Sequence, residues 1–339
     1  MKIWLPYIAA GGGADVFTLH FAEGLRRAGH DVVTSAFPRW HLGFPYFLRF
    51  VPAPPKTDIV AVHSWFGFAF RRAGIPLVLL EHGLVLDPDY APYRSHGQAL
   101  RHRFLLRRFI GAGLRVADAV VAVSEYTARS LETVFGFTDT TVIMNGIDTD
   151  FFTPGGAAEK TEPDDGVFRL LFVGHLIRRK GVDLLPEIMR RLGPGFTLRY
   201  TSGWRRNLDM EVLPTMKPIG LVDQARLCDE YRNADALLFP TRFDGFGLPV
   251  VEAMACGTPV VASRCCAVPE LIEDGVDGIM CPLDDVTAFV EAIQALACDR
   301  DRLAAMGARA RESSVARFGV DRMVGEYIDV FQSLLERRV

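Results

Sequence analysis

The stretch that decides the fold is Ala236-Leu237-Leu238-Phe239-Pro240-Thr241-Arg242-Phe243-Asp244-Gly245-Phe246-Gly247-Leu248-Pro249-Val250-Val251-Glu252-Ala253-Met254. It opens with an apolar run short enough for a buried strand. Residues 241–244 make a polar exit loop, and a helical apolar pattern resumes after Gly-Phe-Gly. Pro249 suits the first helical turn, where its missing N–H costs nothing. The amides of about Gly247 to Val251 are therefore expected to be free, an arrangement that suits a phosphate. Asp244 and Glu252 stand eight positions apart around this turn. One turn into the helix, the Glu252 carboxylate can accept hydrogen bonds from two ribose hydroxyls, while Asp244 at the loop mouth can reach a sugar beyond the phosphates. The same two residues also fit a helix-capping glutamate and an ordinary turn aspartate.

A second strand-loop-helix unit precedes it. Leu170 to Val173 runs into Gly174-His175-Leu176-Ile177-Arg178-Arg179-Lys180-Gly181, a cationic loop able to neutralise a diphosphate or simply to be solvated. At the N-terminus, Lys2 to Ile8 reads as a strand, followed by Gly11-Gly12-Gly13. A helix with apolar positions Val16, Leu19, Phe21 and Leu25 comes next, and then a strand over Asp31 to Ala36. Gly12 and Gly13 permit close backbone approach to a phosphate or sugar, or else form a tight turn. The second strand ends without the acidic residue that a nicotinamide-dinucleotide domain uses on its ribose, which counts against an oxidoreductase. Further strand-like runs, Asp58 to Val62, Pro76 to Leu80, Ala117 to Val123 and Thr141 to Met144, alternate with helical segments, as a parallel doubly wound sheet requires. His82 lies just past the end of one of them, in Leu80-Glu81-His82-Gly83, where ligands of such sheets bind.

The Asp244 to Met254 segment resembles the signature of glycosyltransferase family 4, retaining enzymes of the GT-B fold, in which two glutamates flank seven residues in a Gly-Phe-Gly-Leu-Pro context. Thr258-Pro259-Val260-Val261, Val268-Pro269-Glu270-Leu271 and Asp274-Gly275-Val276-Asp277-Gly278 fit its continuation, and Asn145-Gly146-Ile147-Asp148 resembles its interdomain junction. Three positions depart from the pattern: Asp244 replaces the first Glu, His175 stands where Arg is expected, and Asp15 where Glu is usual. The resemblance implies an α/β, GT-B architecture of two Rossmann-like domains with parallel doubly wound sheets facing across a cleft. It implies an acceptor-binding domain over 1–150, a nucleotide-sugar-binding domain over 151–319 and a C-terminal helix over 320–339 returning to the first domain. It further implies transfer of a sugar from a nucleoside diphosphate sugar to an acceptor hydroxyl with retained configuration, in glycan, polysaccharide or glycolipid synthesis. His82, Lys180 and Asp244 take the catalytic positions. Gly12, Gly13, His175, Arg179, Gly245, Phe246, Gly247, Leu248 and Glu252 join Lys180 and Asp244 in holding the donor. No cofactor or metal is expected. Two other functions fit the same frame: a sugar-nucleotide epimerase, and a non-catalytic nucleotide-sugar-binding module or membrane partner.

The 339 residues, 49% of them hydrophobic, suffice for two cores. No apolar run reaches membrane-spanning length and no leader pattern opens the chain, so a cytoplasmic protein is expected. The six cysteines lack paired CxxC spacing and read as reduced core thiols. Asp148-Thr149-Asp150, Asp87-Pro88-Asp89 and Asp299-Arg300-Asp301 match a metal-binding DxD pattern but sit in turns, and are read as structural. A linker is expected near 150–166, rich in Pro, Gly and charge. Between Asp89 and Asp118 there is no acidic residue, while Arg94, Arg101, Arg103, Arg107, Arg108 and Arg115 punctuate Leu100, Phe104, Leu105, Leu106, Phe109 and Ile110. This pattern fits a basic amphipathic helix on an anionic membrane, or a core helix with an arginine-rich outer face. The aromatic stretch Phe37 to Phe50 belongs to the same surface or shapes an acceptor pocket. The expected partners are thus a nucleoside diphosphate sugar, a sugar or lipid-linked acceptor and peripheral contact with the cytoplasmic face of a membrane. A net charge of −3 without a basic domain leaves no nucleic-acid footprint.

Overall fold

A computed structural model describes all residues except 10, 12, 156–165, 203–209 and 338–339. Gly12 and most of the expected linker thus lie outside the described residues. The chain forms two compact units, Met1–Gly146 with Val320–Val339, and Ile147–Gly319.

The N-terminal unit runs β1 (Lys2–Ile8), α1 (Gly13–Arg27), β2 (Asp31–Phe37), β3 (Ile59–His63), β4 (Leu77–Glu81), α2 (His96–Arg101), α3 (Arg107–Leu114), β5 (Ala119–Ala122), α4 (Glu125–Phe135) and β6 (Thr141–Val142). Its strands pair in parallel in the order β2-β1-β3-β4-β5-β6. Successive strand residues serve opposite faces of this sheet. Ile3, Leu5, Ile59, Ala61, Val78 and Leu80 pack on α1 and the C-terminal helix Val320–Glu336. Trp4, Val60, Val62, Leu77 and Leu79 pack on α3, α4 and the Phe66 to Phe70 segment. The inward stripe of α1 is Phe17, Phe21 and Leu25, one residue per turn, and Gly24 admits Val324 of the C-terminal helix: a Cβ there would meet it at 2.7 Å. Val16 and Leu19, expected on this stripe, are exposed, because they lie off that row.

The C-terminal unit runs β7 (Phe168–Phe172), α5 (Leu185–Leu192), β8 (Phe196–Thr201), β9 (Met216–Gly220), α6 (Gln224–Asn233), β10 (Ala236–Phe239), α7 (Leu248–Ala255), β11 (Val260–Ser263), α8 (Val268–Leu271), β12 (Gly278–Cys281), α9 (Val286–Cys298) and α10 (Arg300–Phe318). All pairs are parallel, in the order β12-β11-β10-β7-β8-β9. The direction of winding reverses between β7 and β10, so the loops leaving those two strands diverge and open a crevice at their C-terminal ends.

Candidate functional site

In the C-terminal unit the site grows from that switch point. After β7 the chain makes a 3-10 turn, Arg178–Lys180, closed by Gly181 at φ +72°. Gly181 lies against the end of β10, where a Cβ would come within 1.8 Å of the Pro240 carbonyl oxygen. Only glycine allows both the left-handed turn and this approach. The neighbouring loop is tied down as well. The Arg242 amide donates to the Arg179 carbonyl at 2.8 Å, and the Arg179 guanidinium to the Phe243 carbonyl at 2.9 Å. Arg242 itself is buried, its guanidinium clamped by Asp183, Asp284 and the Arg178 carbonyl. Lys180 is delivered by this frame: its ammonium, buried and 5.3 Å from the centre of the Phe239 ring, donates to the Asp244 carboxylate. Burial raises the Asp244 pKa, but Lys180, Arg179 and the Phe246 amide more than offset it and hold the carboxyl below its ordinary value. Lys180 and Asp244, two of the three expected catalytic groups, thus neutralise each other.

Gly247, φ +108°, is the N-cap of helix α7, with Leu248 and Pro249 in its first turn. The Val250 amide bonds to the Gly247 carbonyl at 2.9 Å and Pro249 has no N–H. In the expected row of free amides from Gly247 to Val251, the Val250 amide is thus taken and Pro249 has none to offer. Gly245 is buried, and Phe246 faces inward, edge-on to Phe318 at 6.0 Å, so its backbone alone can meet a ligand. Glu252 is half-buried and does not cap α7; it accepts a 2.8 Å hydrogen bond from the Tyr231 hydroxyl of α6. Burial raises its carboxyl pKa to about 7, with Tyr231 pulling the other way. Burial also raises the Tyr231 phenol well above its ordinary value, which keeps it a donor. His175 sits half-buried in the β7 loop, its carbonyl accepting from the Ile177 amide at 2.9 Å.

In the N-terminal unit the sheet reverses between β1 and β3. Gly13 opens α1 after β1, and a Cβ there would meet open space. Next to it, the Gly11 amide is held by the Asp15 carboxylate at 2.6 Å. His82, on the turn after β4, lies edge-on to Phe17 of α1 at 4.4 Å and 5.4 Å from His63, the last residue of β3. Burial depresses the pKa of both rings, His82 to about 4, so each is neutral near neutral pH. His63 had no distinguishing mark in sequence; strand order alone gives it this place. The turn is fixed from beneath by Glu81, wholly buried, which accepts from the Ser64 hydroxyl and from the Gly83 amide at 3.1 Å. Burial raises the Glu81 carboxyl to about 7.

The DxD look-alikes serve turns and caps. Asp148 accepts from the Asp150 and Phe151 amides, Asp87 from the Asp89 amide, and Asp299 from the Arg302 amide. Among the described residues no three His, Cys, Asp or Glu side chains converge as a metal set, and no helix is long and apolar enough to cross a membrane. The arginine-rich segment is helical from His96 to Leu114 through a π turn at His102–Leu106. Leu106, Phe109 and Ile110 are buried, while Leu100, Phe104, Leu105, Arg101, Arg103 and Arg108 are exposed. Arg107 is also exposed, but its guanidinium is bound to the Val134 carbonyl. Tyr46 meets Phe109 at 5.6 Å, so the stretch with exposed Trp40, Phe44, Phe47 and Phe50 adjoins this helix.

Comparison with known proteins agrees with this geometry. Residues 167–299 match the family described as glycosyl transferases group 1, and residues 33–151 match glycosyltransferase family 4. The chain is 29% identical over 314 residues to D-inositol 3-phosphate glycosyltransferase 1 of Catenulispora acidiphila, covering 84% of this chain and 74% of that protein. It is 31% identical over 254 residues to the lipopolysaccharide core biosynthesis mannosyltransferase LpsB of Rhizobium meliloti, covering 69% and 68%. In structure it is similar to a sucrose-phosphate synthase of Thermosynechococcus elongatus (TM-score 0.86, 21% identity, 99% of this chain and 100% of that one). It is also similar to Anabaena HepE crystallised with UDP-glucose (TM-score 0.79, 19% identity, 98% and 100%). The two parallel doubly wound sheets are those of the GT-B fold, and the chain belongs to the retaining glycosyltransferases of family 4.

Proposed function

We propose that the donor, a nucleoside diphosphate sugar, is held by the C-terminal unit, and that the N-terminal unit presents a sugar or lipid-linked acceptor at the cytoplasmic face of an anionic membrane. The observation that carries the donor assignment is the Lys180–Asp244 pair at the switch point, beside the Gly247 and Leu248 amides. A diphosphate entering there exchanges a single carboxylate for a stronger anion on Lys180, with Arg179 next to it. As the glycosidic bond breaks, charge grows on the leaving phosphate, and these groups stabilise it more than they stabilise the ground state. Glu252 accepts from the ribose hydroxyls, while Asp244 orients the donor sugar. The cations and amides supply the charge stabilisation, so chelation by EDTA should leave turnover unchanged.

A thermal-shift screen of nucleoside diphosphate sugars tests the donor assignment, because a ligand of the folded state raises its apparent stability by mass action. UDP-glucose, the ligand of the Anabaena relative, is the first to try. No shift with any nucleoside diphosphate sugar would refute the assignment. The membrane surface is supported by exposed aromatics at 40–50, a stretch that meets the arginine-rich helix through Tyr46 and Phe109, and by exposed Leu100, Phe104, Arg101, Arg103 and Arg108 on that helix. Each arginine near an anionic surface contributes about 1 kcal/mol. Replacing the three with Gln should release the protein from acidic vesicles at low salt, without loss of donor binding. Equal sedimentation of wild type and variant would refute the surface.

A further inference from the structure

Cys228 lies within α6 and Cys256 immediately follows α7. Both are free thiols, 3% and 4% exposed, and their sulfurs are 3.8 Å apart. The same two helices carry the Tyr231–Glu252 hydrogen bond: Tyr231 follows Cys228 by one turn, and the Cys256 amide donates to the Glu252 carbonyl at 3.1 Å. We propose that Cys228 and Cys256 form a peroxide-responsive dithiol whose oxidation to a disulfide weakens donor binding through Glu252. Its second half rests on the ribose role given to Glu252.

Either sulfur can attack; one route starts at Cys228, whose sulfur also lies 3.5 Å from the Phe151 carbonyl oxygen. The Cys256 thiol is placed to donate to it and holds its pKa down to about 6, against the effect of burial, with Arg232 adding a smaller pull. The neighbouring sulfur, and then burial, push the Cys256 thiol up and keep its proton on. The Cys228 thiolate attacks one oxygen of hydrogen peroxide, the O–O bond breaks, and a sulfenic acid and hydroxide form. The Cys256 sulfur then displaces the sulfenic oxygen, its proton leaving with that oxygen as water. The hydroxide takes up the proton that Cys228 released on ionising, so two thiols lose two electrons and peroxide is reduced to two waters. The sulfurs must close to about 2.05 Å, which shifts α6 against the end of α7 and so disturbs the Tyr231–Glu252 hydrogen bond carried by the same two helices.

The test treats the whole protein with hydrogen peroxide, alkylates it and maps peptides by mass spectrometry. Binding is measured with the nucleoside diphosphate sugar that gives the largest shift in the screen. We expect a Cys228–Cys256 cross-linked peptide and a loss of donor affinity of about tenfold, of the size of one charge-assisted hydrogen bond. Dithiothreitol should reverse both. Cys228→Ala and Cys256→Ala, checked for an unchanged circular dichroism spectrum, should bind donor normally with or without peroxide. Cys265 and Cys266 donate to the Thr241 and Arg242 carbonyls near Lys180, so their oxidation is the competing route. If both target cysteines stay alkylatable after peroxide, or the alanine variants lose affinity equally on oxidation, the proposal is overturned. A cross-link with unchanged affinity overturns the regulatory half. If Glu252→Ala also binds normally, the failure belongs to the ribose assignment and not to the dithiol.

Discussion

Donor binding should depend on pH through Glu252, and this dependence isolates its role. With its carboxyl raised to about 7 by burial, Glu252 is half ionised near neutrality. Ribose hydroxyls donate to the ionised form, so binding selects the carboxylate and pulls its pKa down. Affinity should therefore rise with pH, reach a plateau above about pH 8, and fall on the acid side toward the level of the neutral carboxyl, by about five- to tenfold in all. Asp244 is held below the ordinary carboxyl value and an intact nucleotide sugar has no free terminal phosphate, but the Cys228 thiol, down at about 6, titrates in that window, so the profile is measured in the Cys228→Ala background. Glu252→Gln keeps an acceptor for Tyr231 but exchanges charge-assisted hydrogen bonds for neutral ones. It should bind about five- to tenfold more weakly on the plateau, a loss of roughly 1 to 1.5 kcal/mol, and its affinity should be flat with pH. Tyr231→Phe removes the hydrogen bond that favours ionisation, so its midpoint should move upward. Calorimetric titration from about pH 5.5 to 8.5 measures all three. A wild-type profile as flat as that of Glu252→Gln would refute the ribose assignment.

Glu81 provides a stability test in the other unit. It is wholly buried with its carboxyl raised from 4.5 to about 7, so the folded state binds the proton more tightly than the unfolded chain. Its ionisation should erode stability as pH rises from the ordinary carboxyl range to about 7, by up to about 3 kcal/mol, with no further loss above. Glu81→Gln should therefore unfold at higher urea than wild type near pH 8, and the gap should close near pH 4; a constant gap would contradict the shift. Gly181→Ala combines a left-handed backbone with a Cβ 1.8 Å from the Pro240 carbonyl oxygen. It should cost about 2 to 4 kcal/mol in urea unfolding, whereas an unchanged midpoint would mean that the Lys180 loop is not pinned there.

Much of this fold was legible because buried parallel strands are short apolar runs bounded by turn residues. Ala236–Phe239 and Phe168–Phe172 were each found within a few residues of where they lie. Helix faces were less legible: Val16 and Leu19 are apolar but stand off the Phe17, Phe21, Leu25 row that touches the sheet. The contacts that make the site were hidden for a different reason. Lys180 and Asp244 are 64 residues apart, and they meet only because β10 pairs with β7, a neighbourhood no local pattern reveals. Tyr231 and His63 carry no motif at all, and their positions follow from α6 lying beside α7 and β3 beside β4. At α7 the local expectation was too generous, because a helix start can satisfy one of its own amides, as Val250 does with Gly247.

Calorimetric titration of the nucleoside diphosphate released by the reaction into wild type and Lys180→Met tests the central claim most directly. Methionine keeps the length of the buried stem and removes the charge. If Lys180 holds the diphosphate, the variant should bind at least about tenfold more weakly, the loss of one charge-assisted hydrogen bond or more, and turnover should fall further, because the charge it meets grows in the transition state. Equal nucleoside diphosphate affinity in the folded variant, with normal turnover, would contradict the claim and remove Lys180 from the donor site.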